Sequence, residues 1–291
     1  MRRSGLVLCL VVLCAACGAT RKPLVPADQL WTEGNQAMND EAYDLAVERY
    51  KRLIDSYPFD PNSEEAELKI AQAYFNLQRY PEAIASLGDF ERMHPTSDNL
   101  PQIEYRRGMA YLAQHRSSDR EQVAVKNALE SFRNIVERYP GTPWASRAEM
   151  RVRECREELA AHDADIAAFY LHRGSLRAAE SRLRGLLTDY PETDATARSL
   201  DSFAKMYTAR DEPEEANLAL ATLVKYHPES PLGIDAAQKL GALNPSQGQD
   251  PLPMLVSRID EMRTQADREK VPKTVSAYSD RPGMPGGGGR Y

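Results

Sequence analysis

Six times along this chain a ring residue is followed at once by proline, and five of these share one register: Tyr57–Pro58, His94–Pro95, Tyr139–Pro140, Tyr190–Pro191 and His227–Pro228. Twelve residues before each of these prolines stands alanine: Ala46, Ala83, Ala128, Ala179 and Ala216. Eight before come Tyr50, Leu87, Phe132, Leu183 and Leu220, and five before come Leu53, Phe90, Ile135, Leu186 and Leu223. Offsets of 12, 8 and 5 differ by four and three, so the residues share one helical face. Proline ends that helix, because it lacks an amide donor and pushes the preceding residue out of the helical region. Further back, at 24 residues, lie Gly34, Ala71, Ala167 and Ala204, and at 21 lie Ala37, Tyr74, Tyr170 and Tyr207. The third copy joins the register, with Gly108 and Tyr111, once the eight polar residues "HRSSDREQ" are skipped, which places an insertion in the turn between two helices. Each unit therefore reads helix, turn, helix, stop.

This spacing resembles the tetratricopeptide repeat, and the fold class expected is an all-α tetratricopeptide-repeat solenoid of five helix-turn-helix repeats over residues 27–243. The intervals between closing prolines, 37, 45, 51 and 37, are not uniform. The long one holds an extra helix between repeats three and four, opened by Pro143, with Trp144, Ala148, Val152, Cys155 and Leu159 at helical spacing. It is expected to run almost directly into the first helix of repeat four, with a bend near His162–Asp163. Residues 244–291 read as a linker, "NPSQGQDPLP", then a short amphipathic helix, then a disordered tail rich in Gly and Pro.

The first 16 residues read as an export signal: Arg2 and Arg3, an apolar run from Leu6 to Leu13 too short to span a bilayer, then small residues. "LCAAC" resembles the lipobox of bacterial lipoproteins, which implies cleavage before Cys17, lipidation of that residue and a tether over residues 17–26. Gly18, rather than Asp, follows the cysteine, which in such lipoproteins favours the outer membrane. Without the signal the chain carries 35 basic and 43 acidic residues, a net charge of −8 that argues against nucleic acid and anionic headgroups as partners. Cys155 is then the sole cysteine besides Cys17, so no intramolecular disulfide is expected, and it reads as a small buried packing residue.

The lipobox, "LWTEGNQAMNDEAYDLAVERYKRLIDSYP" close behind it, and the insertion "SSDREQ" before "ALESFRNIVERYP" resemble the BamD family of outer-membrane assembly lipoproteins. "LAAHDADIAAFYLHRGSLRAAESRLRGLLTDYPETDAT" is similar to that family's fourth repeat. The resemblance spans roughly residues 13–230. It implies a component of the machinery that folds β-barrels into the outer membrane, docking on periplasmic domains of a BamA-like barrel subunit. Unfolded outer-membrane proteins and other assembly lipoproteins are the further implied partners. Another periplasmic repeat adaptor, such as a cell-envelope coordinator or a secretin pilotin, is the alternative, separated by which integral protein accompanies the chain.

The first helix of each repeat supplies the expected peptide groove: Trp31, Asn35 and Met38, then Leu68, Gln72 and Phe75, then Tyr105, Met109 and Leu112. Apolar and aromatic groups with interleaved amides suit an extended apolar segment, such as a barrel strand, whose backbone the amides hydrogen-bond. The set lacks Lys and Arg, so a carboxylate clamp is not expected. Arg173, Arg177, Arg182 and Arg184 surround the second helix of repeat four. Arg182 matches a position that the family resemblance associates with the barrel subunit, and Glu180 is its expected local partner otherwise. No nucleophile, metal-ligand or phosphate-loop pattern presents itself; His162 and His172 are ten apart, and "GGGG" follows no strand. Neither catalysis nor a cofactor is expected.

Overall fold

A computed structural model of the chain describes residues 24–117, 122–241 and 248–270. The signal, Cys17, most of the tether, the centre of the insertion and the Gly-rich tail lie outside the described residues. Those described form twelve α-helices: α1 Ala27–Asn39, α2 Tyr43–Ser56, α3 Ser63–Asn76, α4 Tyr80–Met93, α5 Leu100–Ser117, α6 Val123–Arg138, α7 Pro143–His172, α8 Leu176–Asp189, α9 Asp194–Ala209, α10 Pro213–Tyr226, α11 Pro231–Leu240 and α12 Pro251–Lys270. They fall into two compact units, divided between Ala148 and Glu149. In the first, each helix from α1 to α6 packs on the next. In the second, α9, α10 and α11 pack in succession, and α12 lies against α10 and α8.

The five alanines and the two larger residues that follow each of them are all buried. Each large one contributes about 1.5–3 kcal/mol by leaving water. A size rule links this face to the first helix of the same hairpin. Where the residue eight before the proline is a ring, Tyr50 or Phe132, the residue facing it is Gly34 or Gly108. A methyl group added at Gly34 would stand 2.6 Å from the Tyr50 ring, and one at Gly108 would stand 2.7 Å from Phe132. Where the larger residue is Leu87, Leu183 or Leu220, the small partner is Ala71, Ala167 or Ala204. Summed bulk is thereby held nearly constant, and the hairpin keeps its spacing.

The turns repeat as closely as the cores. Glu41, Gln78, Gly174 and Asp211, each seventeen residues before the closing proline, have φ between 58° and 70°. The amide after each donates to a carbonyl five residues back: Ala42 to Ala37, Arg79 to Tyr74, Ser175 to Tyr170, Glu212 to Tyr207, at 2.8–3.0 Å. These are Schellman turns, which satisfy the carbonyls that a helix end leaves unpaired. Repeat three departs: seventeen residues before Pro140 stands Val123, the first residue of α6, directly after the insertion.

Each ring before proline adopts φ between −123° and −140° with ψ between 46° and 63°, the extended bias that a following proline imposes. Two residues after each proline comes Asp60, Ser97, Thr142, Thr193 or Ser230, whose side-chain oxygen accepts an amide within the first turn of the next helix or, for Asp60 and Ser97, from the residue just before it. The ring–proline–cap sequence thus closes one unit and opens the next. At the fifth closure Gly233 is obligatory, because a Cβ there would lie 1.9 Å from the His227 carbonyl oxygen.

Two features differ from the sequence reading. The extra helix and the first helix of repeat four are a single 30-residue helix, α7. Its register continues through His162–Asp163, where a bend was expected, because no proline or glycine interrupts it. Helix α12 begins at Pro251, inside the stretch read as linker, and Leu255 and Ile259 are fully buried in the core of the second unit. Arg258 reaches the buried Glu215 at 2.7 Å, and Arg184 meets Asp260 at 2.8 Å, so the helix is fastened as well as packed.

Gly34→Ala should destabilise the chain by about 1–3 kcal/mol through overpacking against Tyr50. Adding Tyr50→Leu should recover about 1 kcal/mol or more of that loss, since alanine faces leucine in three other repeats. Urea denaturation of the two single variants and the double variant measures the coupling.

Candidate functional site: an aromatic cleft in the first unit

A cleft of about 340 Å³ opens among α3, α4, α5 and the first turn of α7, all within the first unit. Its floor is Ala71, Ala83 and Leu87 from the buried face; its walls are Phe75, Tyr105 and Trp144, with Gln72, Met109, Arg106 and Arg147 at the edges. The helical spacing that buries Ala71 and Tyr74 turns Gln72 and Phe75 partly outward on the same helix. Phe75 meets Tyr80 edge-on at 5.5 Å. Tyr105 packs between Phe132, at 5.4 Å, and Trp144, at 5.3 Å. Tilted and edge contacts of this kind are worth about 0.5–1.5 kcal/mol each and fix the ring planes.

A second cleft of about 500 Å³ shares Gln72 and Arg106 with the first and is lined by Met38, Leu68, Lys69, Glu64, Glu65, Asn99 and Gln102. It is polar: Glu64 accepts from Ser97 Oγ at 2.7 Å and from Asn99 Nδ2 at 3.3 Å.

Of the sequence-predicted groove, Gln72, Phe75, Tyr105 and Met109 line the aromatic cleft, and Met38, Leu68 and Gln72 line the polar one. Trp31 and Asn35 line neither. Trp31 packs on the Tyr50 ring at 5.7 Å. Asn35 accepts a hydrogen bond at 2.9 Å from the Tyr50 hydroxyl, whose pKa burial and the charge of Glu65 push up to about 12. Leu112 is buried, a packing residue rather than a surface one.

The named first-helix positions hold no cluster of Lys or Arg, but two arginines stand beside them. Arg106 and Arg147 both border the aromatic cleft. Arg147 stacks over Trp144, its guanidinium carbon 4.9 Å from the ring centroid. Arg106 follows Tyr105 directly, and Trp144 and Arg147 belong to the extra helix. Counting only the repeat positions of first helices passed over all three. The signal available was Trp144 itself, a large aromatic one residue inside a helix start.

Beside the clefts, Glu104 is buried against Arg107, which also holds Glu91 at 2.7 Å. Burial pushes the Glu104 carboxyl up against the pull of Arg107, and its Oε2 has no hydrogen-bond partner among the described residues.

In the second unit Arg182 is exposed and pairs with Asp163 at 3.0 Å. Glu180, its expected partner, is instead buried and accepts from the Tyr207 hydroxyl at 3.1 Å. Arg184 is taken by Asp260. Arg173 lies over the exposed Phe169 ring at 5.3 Å. Cys155 is buried, and burial with Glu158 and Glu154 nearby pushes its thiol up to about 12. The closing histidines are structural: His94 Nε2 meets Glu67 at 2.9 Å, and the His227 Nε2–H donates to the Pro191 carbonyl at 2.9 Å.

Stacked helical hairpins of this spacing define a tetratricopeptide-repeat protein. Residues 23–219 match the family described as "YfiO: Outer membrane lipoprotein", and the chain belongs to that family. It is 31% identical over 195 residues to the outer membrane protein assembly factor BamD of Vibrio cholerae, covering 64% of this chain and 81% of the relative. It is 26% identical over 214 residues to the BamD of Neisseria gonorrhoeae, covering 70% and 80%. Among solved structures it is similar to a thermophilic tetratricopeptide-repeat protein of Thermus thermophilus at 17% identity, 74% and 99% coverage and a TM-score of 0.35.

The Cys155 thiol should stay protonated and inaccessible in the folded chain at pH 8. Iodoacetamide followed by peptide mass mapping should find residue 155 alkylated only after denaturation. A raised thiol pKa also means that this group's stabilising contribution holds up to the unfolded value near pH 8.5 and falls as pH rises from there towards 12.

Proposed function

We infer that this chain is an outer-membrane protein assembly factor, a repeat adaptor that receives unfolded barrel polypeptides and passes them to a membrane-embedded barrel subunit. Family membership supports the assembly role and the outer membrane as its place, and the relatives named above carry that function in their printed names. The single observation that carries the adaptor reading is the Phe75–Tyr105–Trp144 cleft continued by an amide-lined one. Together they offer an extended strand a pocket for an aromatic side chain and partners for its backbone. Transmembrane barrel strands alternate apolar and polar residues and carry aromatics at their ends, which is the chemistry such a surface takes.

The remaining elements of the reading follow from the family. Cys17 would bear the lipid that holds the chain on the periplasmic face of the outer membrane. Among the described residues no helix is long and apolar enough to cross a membrane. Periplasmic domains of a BamA-like subunit would dock on the second unit, with Arg182 offering them a guanidinium. Its present partner, Asp163, is itself at the surface, and an exposed pair of this kind exchanges at a cost of under about 1 kcal/mol. Other assembly lipoproteins would share the complex. No step of this work requires a bond to be made or broken by the chain.

Two experiments test the reading. A photocrosslinker placed at Phe75 or Tyr105 should capture a barrel precursor during its translocation; with no adduct at either position the cleft is not the receiving site. Arg182→Glu should lower recovery of the barrel subunit after gentle detergent extraction several-fold while leaving helical content unchanged; undiminished recovery removes Arg182 from the contact.

A further inference from the structure

The two clefts meet at one residue whose charge the fold does not neutralise. Arg106 lines both, is half-buried, and has no carboxylate partner among the described residues. Its polar partner is Gln102, the amide oxygen of which lies 2.8 Å from Nη2 and 3.2 Å from Nε when the amide is turned towards it. A neutral amide leaves guanidinium donors over and does nothing for the charge. The acids that line the same cleft are turned elsewhere: Glu64 accepts from Ser97 and Asn99, Glu65 lies 3.8 Å from Lys69, and neither pairs with Arg106. The adjacent Arg107, by contrast, meets two carboxylates, Glu91 and Glu104. Burial draws the Arg106 pKa below the ordinary arginine range, with no acid counteracting it. A cation held in this way is a stored cost that an incoming anion relieves.

We propose that Arg106 is a recognition residue for a side-chain carboxylate: the cleft pair takes an extended peptide bearing an internal Asp or Glu next to an aromatic residue. The ring enters between Phe75, Tyr105 and Trp144; the carboxylate pairs with Arg106; the backbone continues over Gln72, Asn99 and Gln102. Position selects an internal acid over a chain end. Arg106 stands between two clefts, so a peptide that paired with it by its last residue would leave one of them empty. Arg147, over Trp144 at the outer edge and without an ion pair among the described residues, adds positive potential on the aromatic side.

This rests on the cleft being the receiving surface, and the test separates the two claims. The probe is a fluorescein-labelled decapeptide, blocked at both ends, alternating threonine with aromatic residues around one central glutamate. Its two companions carry glutamine there, one of them with a free C-terminal carboxylate. Anisotropy with the full chain should show the glutamate peptide binding about tenfold or more tightly than its blocked glutamine twin. Arg106→Gln should erase that preference and change binding of the glutamine peptide less than about twofold; Arg106→Lys should keep part of it, as a point charge does. Equal affinity for both blocked peptides overturns the inference and leaves the cleft reading standing. A preference carried by the free C-terminus overturns it in favour of chain-end capture. Binding of none of the three removes both claims. If Arg106→Gln loses its helical circular dichroism, the comparison of peptides on the native chain still decides.

Discussion

The size match across each hairpin is the constraint from which the rest of the architecture follows. Two helices can approach closely only if one side is nearly bare, and the residue opposite must then fill whatever is left. Glycine accepts a ring and alanine accepts a leucine, so Gly34 sits under Tyr50 and Ala71 opposite Leu87. With that spacing set, Schellman turns at Glu41, Gln78, Gly174 and Asp211 can return the chain at one angle. The outward halves of the first helices then fall where they leave clefts rather than contacts.

Much of this was legible because the pattern is one-dimensional. Offsets from the closing prolines found one buried alanine in the second helix of every repeat, Ala46, Ala83, Ala128, Ala179 and Ala216, and the same count found the aromatic wall at Phe75 and Tyr105. What escaped it lay off the counted positions. Arg106 stands beside the counted Tyr105, and its lack of a carboxylate partner among the described residues is a fact about distances and not about spacing. Trp144 and Arg147 stand on a helix that repeats nothing. Trp31 and Asn35 occupied the right positions, yet the bulk of Tyr50, demanded by Gly34, drew both into packing and hydrogen bonding. For the segment after Leu243 the periodicity predicts a short amphipathic helix but not where it starts or what it packs on. Apolar residues spread among many charges make a weak periodic signal, and the receiving face on α8 and α10 explains why Leu255 and Ile259 are buried.

The site inherits its chemistry from this division of labour. Repeat positions supply shape, because the same apolar face that fills the hairpin exposes rings beside it. Positions outside the register supply charge. The arrangement lets a recognition surface vary without touching the packing that holds it.

The hydrogen bonds made by the closing rings are short in sequence. Tyr57 reaches back 32 residues to Val25, His94 to Glu67 over 27, and His227 to Pro191 over 36. A chain made from its N-terminus onward can therefore complete each hairpin soon after it emerges, without waiting for distant partners. Helix α12 is the exception, since Arg184 must wait 76 residues for Asp260. The last helix is thus a signature of completion: a nascent or truncated chain would fold its early repeats yet leave the outer side of its final ones unsealed, a difference that a protease or a chaperone can read.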